Sequence, residues 1–291
     1  MTATNKRVII GIDVGGSTTK IVGIRQGERR ELITPQLIKA NDPVTSIYGA
    51  FGKFTDENGI ALSDIERVMM TGVGSAYVEK GLYGLKCVKV PEFHSIGLGG
   101  LYLSGLDSAL CVSMGTGTAL VHATAGGAMN YLGGTGVGGG TLMGLSRLLL
   151  NAESVEHIAT MAEAGDLKEV DLRISDMTKE NNLHELSHDL TAANFGNLSD
   201  LATKDDISAG LVNMVLETVG MISVFGARSV GVKDIVLTGN LTGLSITKRK
   251  FEQFCSIYEK EGLHFIIPPL SQYATAIGSA LYGNGKGSED G

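Results

Sequence analysis

The chain has 291 residues, 43% of them hydrophobic, and a formal net charge of -7, length enough for two lobes with cores of their own. Its 31 Asp+Glu against 24 Lys+Arg, with Lys248-Arg249-Lys250 as the one basic run, exclude a basic face for nucleic acid or for an anionic membrane. Its 41 glycines, clustered rather than periodic and accompanied by only five prolines, exclude collagen and a flexible linker.

Three cysteines, Cys87, Cys111 and Cys255, stand far apart in apolar surroundings, which fits reduced thiols better than a disulfide or a metal site. Residues 1–10 lack the apolar core of a signal peptide, and no run of about 18 apolar residues occurs. The expected location is therefore the cytoplasm, away from the membrane.

In chain order, residues 7–14, 18–25 and 31–38 read as a three-stranded meander turning at Gly15-Gly16 and Gln26-Gly27. Helical spacing follows over 42–57 with a cap at Asn41 or Asp42, then a strand at 68–71, a short helix at 74–81, a strand at 86–90 and a helix over 92–104 behind Pro91. The order then restarts with a strand at 109–114, a glycine turn at 115–118, strands at 119–123 and 128–132, and a helix over 138–150. Strand, glycine turn, strand, strand, helix occurs twice, and an internal duplication is the economical reading. Residues 152–230 read as mostly helical, with a polar loop at 178–187 and a long core helix at 205–230. A strand at 235–238, a helix at 251–260 with the basic run at its solvated start, a strand at 265–267 and a helix at 273–282 complete the pattern, and 283–291 are expected to fray.

"GIDVGGSTTK", residues 11–20, raises the first chemical question. A strand that ends in Asp13 and turns through Gly15-Gly16 leaves backbone N–H groups open to an anion, since glycine has no Cβ to block approach. Asp13 is then a candidate to hold a magnesium ion through water, Ser17 and Thr18 to donate hydroxyls, and Lys20 to supply positive charge. A plain hairpin explains the same residues, and the motif alone leaves both readings open. "SMGTGTAL", 113–120, stands at the matching place in the second half, and "VLTGNLTG", 236–243, adds a third glycine turn after a strand. Three such turns in this order have the layout of the actin, Hsp70 and sugar kinase superfamily, in which Gly115, Thr116, Gly117 and Thr118 face the first turn across bound ATP and Gly239-Asn240 meet the adenosine.

"GIDVGGSTTK", "VPEFHSIGLGG", "SMGTGTAL", "GGTGVGGGTLMGLSRLL", "AANFGN" and "VLTGNLTG" together resemble the type II pantothenate kinases over residues 7 to about 283. The resemblance implies an α/β fold of two duplicated RNase H-like lobes, 1–106 and 107–291, with a helical insertion at 152–230, a last helix returning towards the first lobe and an ATP cleft between the lobes. It implies ATP and Mg²⁺ as cofactors, with the metal at Asp13, and places Gly133, Gly134, Thr135, Gly138, Gly139, Gly140 and Thr141 at the nucleotide through a helix N-terminus. It assigns Glu92 as the general base that takes the proton of a primary hydroxyl, with Thr116 beside the acceptor. A homodimer and an acyl-CoA regulator come from the resemblance alone.

One position departs from the family pattern. Where these kinases carry an arginine for the pantothenate carboxylate, two residues ahead of the GGT element, this chain has Tyr131. Arg147 reads as a structural arginine or as a second approach to phosphate or acceptor. The alternatives are another small-metabolite or sugar kinase of the same fold, which would use an aspartate base, and a non-phosphorylating ATP switch. "MTGVGS", 70–75, resembles the glycine element of acyl-CoA dehydratase activators, but the three cysteines lack a cluster arrangement.

Overall fold

The computed structural model describes residues 7–16, 18–27, 30–39, 42–78, 81–177, 187–188 and 190–282. Ser17, the Asn41 cap, residues 178–186 of the polar stretch and the end at 283–291 lie outside them.

The first sheet holds β1 (Val8–Val14), β2 (Thr19–Arg25), β3 (Glu31–Ile38), β4 (Ile65–Thr71) and β5 (Cys87–Lys89) in the order β3-β2-β1-β4-β5. β1 runs antiparallel to β2 and parallel to β4. It is central and buried on both faces, as its unbroken apolar run requires. α1 (Pro43–Glu57), capped by the Asp42 carboxylate accepting from the Thr45 N–H, lays Ile47, Ala50, Phe51 and Phe54 on one face of this sheet. The expected helix at 74–81 is instead a 3-10 turn over Val73–Tyr77.

α2 (Glu92–Ser104) leads to the second sheet, formed by β6 (Ser108–Met114), β7 (Thr118–Thr124) and β8 (Met129–Thr135). β8 runs three residues past the expected end at 132, so Gly133-Gly134-Thr135 belong to a strand. α3 (Gly139–Leu150) and α4 (Val155–Ala164) follow. The insertion then contains a small hairpin that the pattern does not disclose, β9 (Leu172–Arg173) paired with β10 (Thr191–Ala193), with the single turn α5 (Ile174–Met177) between them in sequence.

α6 (Lys204–Val230) opens with a Thr203–Asp206 capping box and closes on left-handed Gly231. By length and composition it could cross a membrane, but 72% of its most apolar stretch is buried inside the protein, and it is the core helix of the second lobe. β11 (Asp234–Thr238) and β12 (His264–Ile266), with α7 (Ser245–Ile257) between them in sequence, complete the second sheet, in the order β12-β11-β6-β7-β8. Within α7, Lys250 of the basic run is not solvated: its Nζ sits 3.0 Å from Glu217 Oε2 in buried surroundings.

The last helix, α8 (Ala274–Leu281), packs on β1, β2 and β4, whereas α2 packs on β6, β7 and β11. Each lobe's sheet is thus covered by a helix that follows the other sheet in sequence. The two helices cross in backbone contact: a Cβ on Gly99 would run into the Ala274 carbonyl, and one on Gly278 into the Ser95 carbonyl. The fold is that of duplicated α/β lobes joined across this helix pair.

Candidate active site

A cleft of about 570 Å³ opens at the carboxyl ends of β1, β4, β6 and β11. In α/β sheets this is the end at which ligands gather. Its walls include Asp13, Gly15, Gly16, Thr18 and Lys20 from the first turn, Gly115 to Thr118 from the second, Gly239 and Asn240 from the third, and Glu92, Tyr131, Gly134 and Thr135.

Asp13 and Lys20 are cross-strand partners on β1 and β2, with Nζ 3.9 Å from Oδ2 and Lys20 only 5% exposed. Burial lifts the Asp13 carboxyl above the ordinary range and lowers the Lys20 ammonium, and in each case the partner's charge opposes part of the shift. Gly72, at the end of β4, comes close enough that a Cβ would stand 2.8 Å from Asp13 Oδ1. Its φ of +84° would strain any other residue.

The glycine turns confront one another across the cleft. A Cβ on Gly16 would lie 3.7 Å from Thr116 Oγ1, and Asn240 Nδ2 donates to Thr18 Oγ1 at 3.4 Å, tying the third turn to the first. Asn240 Oδ1 is buried without a partner. An orphaned acceptor at a cleft wall is a feature that a bound ligand would satisfy.

Of the stretch GGTGVGGGT, Gly134, Thr135 and Gly136 line the cleft and the other residues do not. The N–H groups of Gly139 and Gly140, in the first turn of α3, already donate to the carbonyls of Gly115 and Thr116, both at 2.8 Å. Gly138, Gly139, Gly140 and Thr141 do not line the cleft; Thr141 Oγ1 donates to the Gly136 carbonyl at 2.7 Å. Close packing accounts for most of these glycines: a Cβ on Gly134 would stand 2.5 Å from the Thr118 carbonyl, one on Gly138 2.8 Å from that of Thr116, and one on Gly140 2.9 Å from the same oxygen. Gly133 adopts φ +138° beside a bulge that leaves Leu132 between the paired residues Tyr131 and Gly133. α3 therefore packs behind the Gly115–Thr118 turn, and this close backbone approach accounts for Gly138, Gly139 and Gly140.

Glu92 is the first residue of α2 and keeps contact with solvent. Desolvation by the cleft walls, and secondly the nearby Asp13 charge, lift its carboxyl above the ordinary glutamate range. Next to it, the Phe93 ring stacks on Tyr131 with centroids 3.9 Å apart and planes 14° from parallel. Arg147 lies away from the cleft, exposed on α3 with Nε 3.8 Å from Glu153 Oε1. His94 meets the edge of the Tyr282 ring instead of the cleft.

The sequence pattern misses Gly72, Val73, Ser113, Ala119 and Thr275 among the lining residues. A signal for the first is present. Gly72 follows Thr71 directly after β4 and Gly239 follows Thr238 directly after β11, and both glycines take positive φ, +84° and +94°.

Residues 108–282 match the Fumble family model. The chain is 31% identical over 283 residues to the type II pantothenate kinase of Oceanobacillus iheyensis, covering 94% of this chain and 98% of that one. It is 26% identical over 295 residues to the type II pantothenate kinase of Bacillus anthracis, covering 96% and 99%. Among solved structures, the activator of the 2-hydroxyisocaproyl-CoA dehydratase from Clostridium difficile with bound ADPNP superposes with a TM-score of 0.65 at 19% identity, over 94% of this chain and 93% of that one. Component A of the Acidaminococcus fermentans (R)-2-hydroxyglutaryl-CoA dehydratase gives 0.63 at 19% identity, over 95% and 97%. The likeness to the two activators is one of fold. The match to the kinases runs through the sequence itself, nearly end to end, and by it the chain belongs to the type II pantothenate kinase family.

Proposed function

We propose that the chain transfers the γ-phosphoryl group of ATP to the primary hydroxyl of pantothenate. Membership of the family supports the reaction. The observation that carries the assignment to this cleft is the convergence of two facing glycine turns, a buried Asp13–Lys20 pair and Glu92 on one cavity.

ATP and Mg²⁺ supply the transferable group and the neutralisation of charge as it moves. The residues present fit them. Among the described residues no group of three or more His, Cys, Asp or Glu could hold a metal, so a cage built wholly by protein is not what this cleft offers. A single buried carboxylate, Asp13, suits a magnesium ion that otherwise keeps water and phosphate ligands.

In this reading the turns at Gly15-Gly16 and Gly115–Thr118 grip phosphate from both sides, and Ser17, outside the described residues, belongs to the first of them. Lys20 balances charge from beneath. Gly239 and Asn240 receive the nucleoside, and the orphaned Asn240 Oδ1 accepts a donor from it. Glu92 Oε accepts the hydroxyl proton as the acceptor oxygen attacks. Desolvation and then the Asp13 charge raise the Glu92 carboxyl above the ordinary glutamate range, the direction that suits a general base. We include in the proposal a cytoplasmic homodimer that responds to acyl-CoA, supported by the family resemblance.

The test is phosphoryl transfer from MgATP to pantothenate, followed by ADP release and by phosphorus NMR of the product. Glu92→Gln should keep ATP affinity and lower kcat by about 10² to 10⁴. Loss of ATP affinity with unchanged kcat would move Glu92 to the nucleotide side.

A further inference from the structure

Three charged side chains line the described cleft: Asp13, Glu92 and Lys20. Lys20, the lone cation among them, is buried and paired with Asp13 at 3.9 Å. Once polyphosphate enters, that lysine and any accompanying metal ion face the phosphates. An acceptor carrying an ionised carboxylate would add a further negative charge beside Asp13, Glu92 and ATP, with no free cation among the described lining residues to meet it. In a cleft partly screened from water such like charges repel strongly.

The wall beside Glu92 has a different character. Tyr131 lines the cleft and is 48% exposed, and Phe93, which is not itself a lining residue, stacks on its ring at 3.9 Å; the wall here offers an aromatic ring and a neutral hydroxyl. Stacked rings held by both a helix and a strand make a rigid apolar shelf. Phe93 follows Glu92 at the start of α2 and Tyr131 shares the cleft lining with Glu92, so the shelf borders the space that an acceptor meeting Glu92 would occupy.

Resting on the kinase reading above, we propose that the Phe93–Tyr131 shelf selects acceptors whose tail is uncharged, so that a neutral amide of pantothenate such as pantetheine is a better substrate than the free acid. Tyr131 is the specificity-determining residue and Phe93 positions its ring. No proton or electron beyond those of ordinary phosphoryl transfer is involved: the amide end of the acceptor takes no part in bond making.

The experiment measures kcat/KM for pantothenate and for pantetheine at saturating MgATP in wild type, Tyr131→Phe, Tyr131→Arg and Phe93→Ala. The expected wild-type preference for pantetheine is at least tenfold. Tyr131→Phe should keep it, Tyr131→Arg should shift the ratio at least tenfold towards pantothenate, and Phe93→Ala should weaken use of pantetheine, with KM for ATP unchanged throughout. A wild-type preference for pantothenate, or a ratio that Tyr131→Arg leaves alone, overturns the inference while the kinase reading stands. A folded wild type that phosphorylates neither compound overturns both.

Discussion

The two sheets share strand order and strand directions, and their central strands end alike in a glycine turn, yet they carry different residues at the chemical position. Asp13 sits opposite Lys20 on β2 and Thr71 on β4; its counterpart Ser113 sits opposite Ala119 on β7 and Thr238 on β11. Asp13, Lys20, Ser113 and Ala119 all line the cleft. A duplicated scaffold therefore holds charge on one side and a small polar surface on the other. The backbone features that shape the turns are retained in both halves, whereas the ionisable groups occur in one. The scaffold explains where the cleft is; the asymmetry puts the Asp13–Lys20 pair on one wall and the small side chains of Ser113 and Ala119 on the other.

The largest effect should come from neutralising each position in turn. Asp13→Asn should lower kcat by about 10² to 10³, the scale of removing one placed electrostatic group, while Ser113→Ala should stay within tenfold of wild type. Steady-state kinetics with MgATP checks both. Equal losses at the two sites would erase the functional asymmetry and leave only the symmetric fold.

The next effect is on stability. Lys20→Met leaves Asp13 buried without its cation, and breaking such a pair costs about 3 to 5 kcal/mol at neutral pH. The sign of the pH dependence follows from Asp13. Folding raises its affinity for a proton, so its contribution favours the folded state in acid and is lost as pH rises through its folded-state value. The deficit of Lys20→Met should thus shrink as pH falls. Asp13→Asn combined with Lys20→Met, which removes both charges, should recover wild-type stability or exceed it. Urea denaturation at several pH values measures all three; a deficit that does not change with pH would mean Asp13 is not the group left unpaired.

A smaller, symmetric effect is expected at the paired glycines. A Cβ on Gly72 would stand 2.5 Å from the Val14 carbonyl, and one on Gly239 2.5 Å from the Met114 carbonyl. Both glycines have positive φ. Gly72→Ala and Gly239→Ala should each cost about 1 to 3 kcal/mol, and by similar amounts, as seen by thermal melting. A large difference between them would show that the two halves have diverged in backbone as well as in side chains.

Much of this scaffold is legible in the amino-acid sequence. The run at 8–14 announces itself through near-continuous apolar residues ending at turn glycines, and the helix over 92–104 through the proline stop ahead of it. The β9–β10 hairpin is not legible there, because its short strands are held by side chains from distant segments: the Thr191 N–H donates to Glu217 Oε1 at 2.8 Å, and Asn213 Nδ2 to Asp171 Oδ2 at 2.8 Å. The burial of Lys250 is hidden for the same reason, since its partner lies 33 residues away on α6. At the site, charged and glycine residues point to the cleft from sequence, but composition cannot tell a glycine that leaves an amide free from one that admits a neighbouring carbonyl. Gly139 and Gly140 are the second kind, and that distinction exists only in three dimensions.

The smallest expected effect reaches from one wall of the cleft to the base. Glu92 must be ionised to accept a proton, so kcat/KM should fall as pH drops through its value in the free enzyme. Burial and then the Asp13 charge raise that value, and the acidic limb should stand above the ordinary glutamate range. Removing Asp13 takes away the second cause and leaves the first. The Glu92 titration should therefore move down in Asp13→Asn without reaching the ordinary range, and Ser113→Ala should leave it in place. Because Asp13→Asn has little activity, the comparison is made by carboxyl carbon NMR of glutamate-labelled, ligand-free protein, with Glu92→Gln identifying the signal. A Glu92 titration that ignores Asp13→Asn would mean that the cleft walls alone tune the base. The asymmetry between the lobes would then act on phosphate and metal without reaching the acceptor side.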